Sequence, residues 1–233
     1  MSGADFWRAC RKCVAIGKNY AKHATEMGGT VPKTPMMFLK PPSTMVQQPR
    51  AIRIPPHMLV HHEIELGVVM GRALRDRHAA DVRGVLQHLS DGAAMDAVAG
   101  YVLALDLTAR DEQAAARKNG TPWSVAKGRD DFLPISVFVP KSQVPDPHAL
   151  RLWLRVNGRT VQDGLTRDMV FGVPRLIRDV DRVMAWETDD LLLTGTPEGV
   201  GPVAIGDIVE GGLETEDGRV ITRFQFDVAQ RTI

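Results

Sequence analysis

The chain has 233 residues, with 29 Lys plus Arg against 28 Asp plus Glu, and 44% of its residues are hydrophobic. That composition fits a globular protein with one sizeable core, and it includes no apolar run of membrane-spanning length, no basic block and no acidic tail. Nucleic acid and a membrane surface are therefore not expected as partners.

Residues 1–12 hold Arg8, Arg11 and Lys12 against one acid, Asp5, a short and serine-poor hint of a mitochondrial address. The basic-then-apolar order of a secretory leader is missing, so the expected location is the cytoplasm or the mitochondrion. Cys10 and Cys13 form a C-x-x-C pair. No second pair exists to complete a zinc site, and the pair precedes a strand instead of opening a helix. Two reduced thiols in a reducing compartment are expected.

The pattern predicts a short strand over residues 13–17, then a helix over 19–27 capped by Asn19 and stopped by Gly28 and Gly29. Pro32 and Pro35 lead into the apolar patch Met36–Leu39, and the Pro-rich, polar stretch 40–56 reads as a long loop. His61–Met70 reads as one strand, because apolar and β-branched residues run to its end and Gly71 follows. Val82, Val85, Leu86 and Leu89 lie at helical spacing within 81–89. A strand over 100–107 leads to a helix over 111–118, with acids in its first turn, bases in its last and Gly120 as its stop. Asn157-Gly158 between two apolar runs predicts a hairpin with a type I′ turn. Pro174–Met184 is an amphipathic helix, Leu191–Leu193 a buried strand, and Val220–Val228 the last strand. Short strands outnumber helices and the regular βαβ alternation is missing, so one mixed α+β domain is expected.

The most informative residues are Glu63 and Glu65. In a strand, i and i+2 share a side, so both carboxylates project together while Ile64, Leu66 and Val68 face the other way. Adjacent carboxylates repel unless they are solvated, one is protonated, or a cation lies between them. Asp106 interrupts a second apolar run, where a lone acid is costly to bury unpaired. Together the three suggest a site for a hard divalent cation such as Mg²⁺, with Mn²⁺ or Ca²⁺ as possible occupants. The competing reading is a half-exposed strand with a solvated acidic side.

His23 and Glu26 stand at i and i+3, where a carboxylate can hold an imidazole ready to take a proton from water; an ordinary surface pair has the same spacing. Lys127 follows an apolar stretch, as either a snorkelling surface lysine or a positive charge for an oxyanion. Thr194–Pro202 offers free N–H groups and hydroxyls but lacks the ending of a nucleotide-binding P-loop. It is either a structural turn or the anion-binding edge of a pocket.

Several stretches in order resemble the fumarylacetoacetate hydrolase family: Gly17-Lys-Asn-Tyr-Ala-Lys-His23, Phe38-Leu-Lys-Pro41, His62-Glu-Ile-Glu-Leu66, Asp106-Leu-Thr-Ala-Arg-Asp111 with Gln113, Pro122-Trp123 with Lys127, and Leu193–Gly201. The His-x-x-Glu helix and Asp146-Pro-His148 ahead of the hairpin resemble its acylpyruvase and oxaloacetate decarboxylase branch. The resemblance implies a β-roll with a few short helices as a single catalytic domain over 13–230, residues 1–12 being a short extension. It also implies a homodimer, Mg²⁺ held by Glu63, Glu65 and Asp106, a lid bearing His23 and Glu26, Lys127 as oxyanion stabiliser, and Arg110, Gln113 and Thr196 near substrate. The implied activity is hydrolysis of the C–C bond of acylpyruvates such as acetylpyruvate and fumarylpyruvate, with oxaloacetate decarboxylation through the same pyruvate enolate. Isomerase or hydratase chemistry on 2-oxo diacids is the alternative. The chain departs from the family pattern in Asp189-Asp190 where Gly-Asp is usual, in Arg129 near Lys127, where it stands to alter pocket electrostatics, and in a longer stretch over 75–92.

Overall fold

The computed structural model describes residues 3–26, 28, 30–74 and 89–232. Residues 75–88, which hold most of the expected helix over 81–89 and of the longer 75–92 stretch, lie outside the described residues. In chain order the elements are α1 (Phe6–Ala9), β1 (Cys13–Gly17), α2 (Ala21–Glu26), β2 (Met36–Lys40), β3 (Met45–Val46), β4 (Ile52–Ile54), β5 (Val60–His62) and β6 (Ile64–Met70). Next come α3 (Asp91–Asp96), β7 (Val98–Leu105), β8 (Thr108–Ala109), α4 (Arg110–Asn119), α5 (Ser124–Lys127), β9 (Leu133–Pro134), β10 (Val139–Pro140) and β11 (Leu150–Val156). The last are β12 (Arg159–Leu165), α6 (Val173–Asp181), β13 (Leu191–Leu193), β14 (Gly201–Val203), β15 (Ile208–Thr215) and β16 (Val220–Gln230).

A six-stranded sheet runs β10-β7-β6-β13-β1-β2 and a five-stranded one β12-β11-β15-β16-β4, with small sheets β14-β5-β8 and β3-β9 beside them. The central strands of the larger sheet are buried on both faces. Val14, Ile16, Ile64, Leu66, Val68 and Leu192 enter a main core shared with the second sheet and α6, while Cys13, Ala15, Val69, Leu191 and Leu193 form a smaller core on the other side with Phe6 and Met45. Strands covered on both faces read as continuous apolar runs, which is why Leu191–Leu193 is legible as buried. The hairpin forms as expected: Asn157 and Gly158 both have positive φ, 51° and 76°, the type I′ requirement. Gly120 closes α4 in the left-handed region at φ 66°.

Four expectations need correction. The stretch 40–56 holds β3 and β4 in addition to connecting turns. Asn19 does not cap α2; its side chain donates to the carbonyls of Phe171 and Thr194 and accepts from Phe171 N–H, joining β1's exit to two distant loops. The helix predicted over Pro174–Met184 stops at Asp181. The run His61–Met70 is two strands, because β5 pairs with β14 and β8 whereas β6 pairs with β7 and β13, and the chain changes sheets at Glu63.

Candidate metal centre

The change of sheets at Glu63 builds the site. Glu63 leaves the ladder of β6, and its carbonyl accepts the N–H of Asp106 at 2.9 Å, the residue just past the end of β7. One backbone hydrogen bond thus brings a residue of each segment together, with Glu65 one step further along β6. Glu63, Glu65 and Asp106 each offer a carboxylate oxygen, all lying within 4.8 Å of one another. They are 7%, 2% and 0% exposed, which rules out the solvated-strand reading.

Two lysines answer the negative charge. Lys127, at the end of α5, donates to Asp106 Oδ2 at 2.6 Å and Glu63 Oε2 at 2.9 Å. Lys40, at the end of β2, pairs with Asp106 Oδ1 at 2.7 Å and donates to the carbonyls of Lys127 and Leu107. Burial works against ionised Asp106, but the two ammonium groups outweigh it and hold its carboxyl below the usual range. Burial would also lower Lys127; the Asp106 and Glu63 carboxylates win and raise it. Lys40 ends below its ordinary value, since burial outweighs the pull of Asp106. Lys127 is thus no snorkelling surface residue.

Glu65 differs. The cluster's ion pairs go to Glu63 and Asp106, while Glu65 accepts the N–H of Gly195 at 2.7 Å. Burial, then the charges of Asp106 and Glu63, push its carboxyl well up. A buried carboxylate so penalised, with two more hard oxygen donors beside it, fits a divalent cation of the Mg²⁺ or Mn²⁺ type.

The cavity above the acids is lined by His23, Arg110, Gln113 and Thr196, four residues expected near substrate. His23 Nδ1 lies 3.3 Å from Glu26 Oε2, and the Glu26 carboxylate also accepts the N–H of Gly199. The dyad thereby bridges α2 and the loop after β13. Arg110 donates to Gln113 Oε1 at 2.7 Å and lies 3.6 Å from Glu63. Phe38 and Trp123 make an apolar wall, their rings 5.4 Å apart, with Lys127 Nζ 5.1 Å from the Phe38 ring.

Sequence reasoning gave no role to Lys40, nor to Lys18 and Arg117, which also line the cavity. Helical spacing places Arg117 four residues from Gln113, a signal that was available. Lys40 carried no local signal, since its partner is far along the chain. Arg129 does not do what its position suggested: its guanidinium pairs with Glu112 of α4 and is absent from the cavity lining.

Two main mixed sheets carry a buried cluster of three carboxylates that offers oxygen ligands for a metal ion. Residues 12–225 match the family description "Fumarylacetoacetate (FAA) hydrolase C-terminal", and the chain belongs to the fumarylacetoacetate hydrolase family. It is 46% identical over 221 residues to "Oxaloacetate tautomerase FAHD1, mitochondrial" of Arabidopsis thaliana, covering 94% of this chain and 92% of that one. It is 44% identical over 228 residues to "Oxaloacetate decarboxylase, mitochondrial" of Dictyostelium discoideum, covering 97% of each. Among solved structures it resembles fumarylpyruvate hydrolase from Pseudomonas aeruginosa in complex with Mn²⁺ and pyruvate, with TM-score 0.83 and 29% identity over 95% of this chain and 91% of that one.

Proposed function

We propose that this chain is an enzyme of oxaloacetate, interconverting its keto and enol forms and decarboxylating it to pyruvate. The observation that carries the reading is a cavity with acids at its floor and Lys18, Arg110 and Arg117 around it. A dicarboxylate with a 2-oxo group suits such a cavity, one end facing the acidic cluster and the other carboxylate the basic wall. The names of the two curated relatives support the same substrate.

A divalent cation held by Glu63, Glu65 and Asp106, Mg²⁺ by preference and Mn²⁺ as the alternative, would supply Lewis-acid polarisation of the substrate oxygens. Lys127, already positioned and fully buried, faces the negative charge that develops on the 2-oxo oxygen when the C3 proton or CO₂ departs. His23, oriented through Nδ1 by Glu26, presents Nε2 to carry the proton between C3 and solvent. Phe38 and Trp123 exclude water from the developing enolate.

The His23–Glu26 dyad favours a second reading. The same imidazole can take a proton from water, which then attacks the distal carbonyl of an acylpyruvate; the C–C bond breaks to give a carboxylate and the pyruvate enolate, which is protonated to pyruvate. Ultraviolet assays of oxaloacetate enol decay and acetylpyruvate loss, with pyruvate release followed in parallel, separate the readings. We expect Mg²⁺-dependent acceleration of both oxaloacetate reactions, abolished by EDTA; no acceleration of either sinks the primary reading. His23→Asn should lower tautomerisation and hydrolysis by about 10²–10⁴-fold while sparing decarboxylation, which needs no base.

We infer a homodimer as the working state, supported by the apolar edge where Leu39 of β2 and Val125 of α5 are exposed; sedimentation giving the mass of a single chain would refute it. A mitochondrial or cytoplasmic setting fits the relatives' names and the two free thiols Cys10 and Cys13.

A further inference from the structure

Gln162 of β12 is 1% exposed and lies beside the site without lining its cavity. A primary amide has two N–H donors and two acceptor lone pairs, and this one uses all four. Oε1 accepts Ile64 N–H at 3.0 Å, and Nε2 donates to Pro197 O at 2.9 Å. A backbone N–H can only donate and a carbonyl can only accept, so the amide has one orientation. The remaining contacts are then fixed as well. Oε1 lies 2.9 Å from His62 Nδ1, so that nitrogen carries the imidazole proton. Nε2 lies 2.8 Å from Thr196 Oγ1, so the threonine oxygen is the acceptor. A hydroxyl has one proton of its own to give. Among the described residues no carbonyl or carboxylate takes it, and Thr196 borders the cavity.

We propose that Gln162 is a positioning residue for substrate: by donating to Thr196 Oγ1 it turns the Thr196 O–H into a donor aimed at an acceptor oxygen of the bound 2-oxo acid. The same amide grips His62 and Ile64, the residues on either side of Glu63, so one side chain ties substrate recognition to the placement of a carboxylate at the cavity floor. This rests on the enzymatic reading above and adds to it what sets the polarity of one cavity wall.

The test is a double-mutant cycle read by binding. Gln162→Glu keeps an oxygen for Ile64 N–H and His62 but replaces the N–H₂ with an acceptor, which draws the Thr196 proton away from the cavity. Thr196→Val removes the hydroxyl at nearly constant shape, and Thr196→Ser restores it. The probe is oxalate, a planar mimic of a pyruvate enolate, titrated calorimetrically into the Mg²⁺-loaded protein, alongside KM and kcat for oxaloacetate. Gln162→Glu and Thr196→Val should each weaken oxalate binding by about ten- to a hundredfold, the worth of one hydrogen bond to a charged group. KM should rise by a similar factor, with a smaller change in kcat. Thr196→Ser should bind like the wild type, and the double variant no more weakly than Thr196→Val alone. Wild-type oxalate affinity in Gln162→Glu, or losses that multiply in the double variant, overturn the proposal. Should Gln162→Glu fail to fold, Gln162→Leu, which removes the donor without adding charge, enters the same cycle with the same outcomes. A wild type that turns over no oxaloacetate removes the assigned reaction, whereas the oxalate cycle reads the hydroxyl alone and decides the role of Gln162 separately.

Discussion

Lys40 shows how much of the site is decided by side chains that never meet the cavity. Its ammonium, buried at the end of β2, stands between Asp106 and the carbonyls that end α5 and follow Asp106. Removing one member of a buried charge cluster costs more than the net worth of the pair, because the partner stays behind unneutralised. Lys40→Met should therefore lower unfolding free energy by about 3–5 kcal/mol in EDTA at neutral pH. Saturating Mg²⁺ should recover more of this in the variant than it adds to the wild type, since the cluster is then one charge more negative. A denaturant series with and without Mg²⁺ measures both; equal metal effects in the two proteins would show that Lys40 does not offset the acids. Lys127 is the counterpart to which the proposed mechanism gives a catalytic role. It touches two of the three acids and the edge of the cavity, and Lys127→Ala should cost about 10²–10³ in kcat, in the range of a lost oxyanion donor. Turnover of oxaloacetate and acetylpyruvate at the wild-type rate by this variant would show that the charge is not needed in the transition state.

Between residues and the whole molecule, the turns decide which strands can meet. Asp189 sits at φ 69°, in the left-handed region, immediately before the loop into β13. There its N–H donates to the carbonyl of Met70, while Asp190 accepts the N–H groups of Glu187 and Lys12 and the Lys12 ammonium. An aspartate tolerates this conformation better than most residues but less readily than glycine, the residue that the family resemblance leads one to expect here. Its Oδ1 is also buried without a hydrogen-bond partner among the described residues. Asp189→Gly should leave stability unchanged or raise it by up to about 1 kcal/mol, and Asp189→Val should lower it by about 1–2 kcal/mol. Melting temperatures of the pair check this, and a stabilising valine would mean that the turn is not strained. The same scale shows what a linear reading reaches. The hairpin, α4 with its Gly120 stop and the buried β13 were legible because their signals are local: a turn dipeptide, charged helix ends, a short apolar run. The acid triad was legible because a two-residue period places Glu63 and Glu65 together. The break at Glu63 was not, since apolar residues continue through it and only pairing with two different sheets reveals it. Lys40 and Gln162 were missed for the same reason: their partners Asp106, Ile64 and Thr196 are brought to them by tertiary structure.

At the scale of the whole molecule, the two tyrosines of the chain make global unfolding visible to alkali. Tyr20 leads into α2 and Tyr101 lies in the middle of β7; both are buried, and neither hydroxyl has a hydrogen-bond partner among the described residues. Burial, then the charge of Glu65, raises Tyr20, and burial with Asp146 pushes Tyr101 up to about 12. An unfolded chain releases phenolic protons near pH 10, roughly the unperturbed value. Above that pH the native state holds more protons than the unfolded state, so stability falls as pH rises from about 10 through the folded value of Tyr101. Phenolate absorbance should consequently appear in one step that coincides with loss of the far-ultraviolet dichroism, not as a gradual rise in a folded protein. Tyr101→Phe should flatten the alkaline loss of stability. At neutral pH it should be neutral or stabilising by about 1 kcal/mol, because it deletes a buried hydroxyl that finds no acceptor. Phenolate appearing near pH 10 while the dichroism stays native would show that at least one of these rings is open to solvent, and with it the sheet interior that carries β6 and the acids.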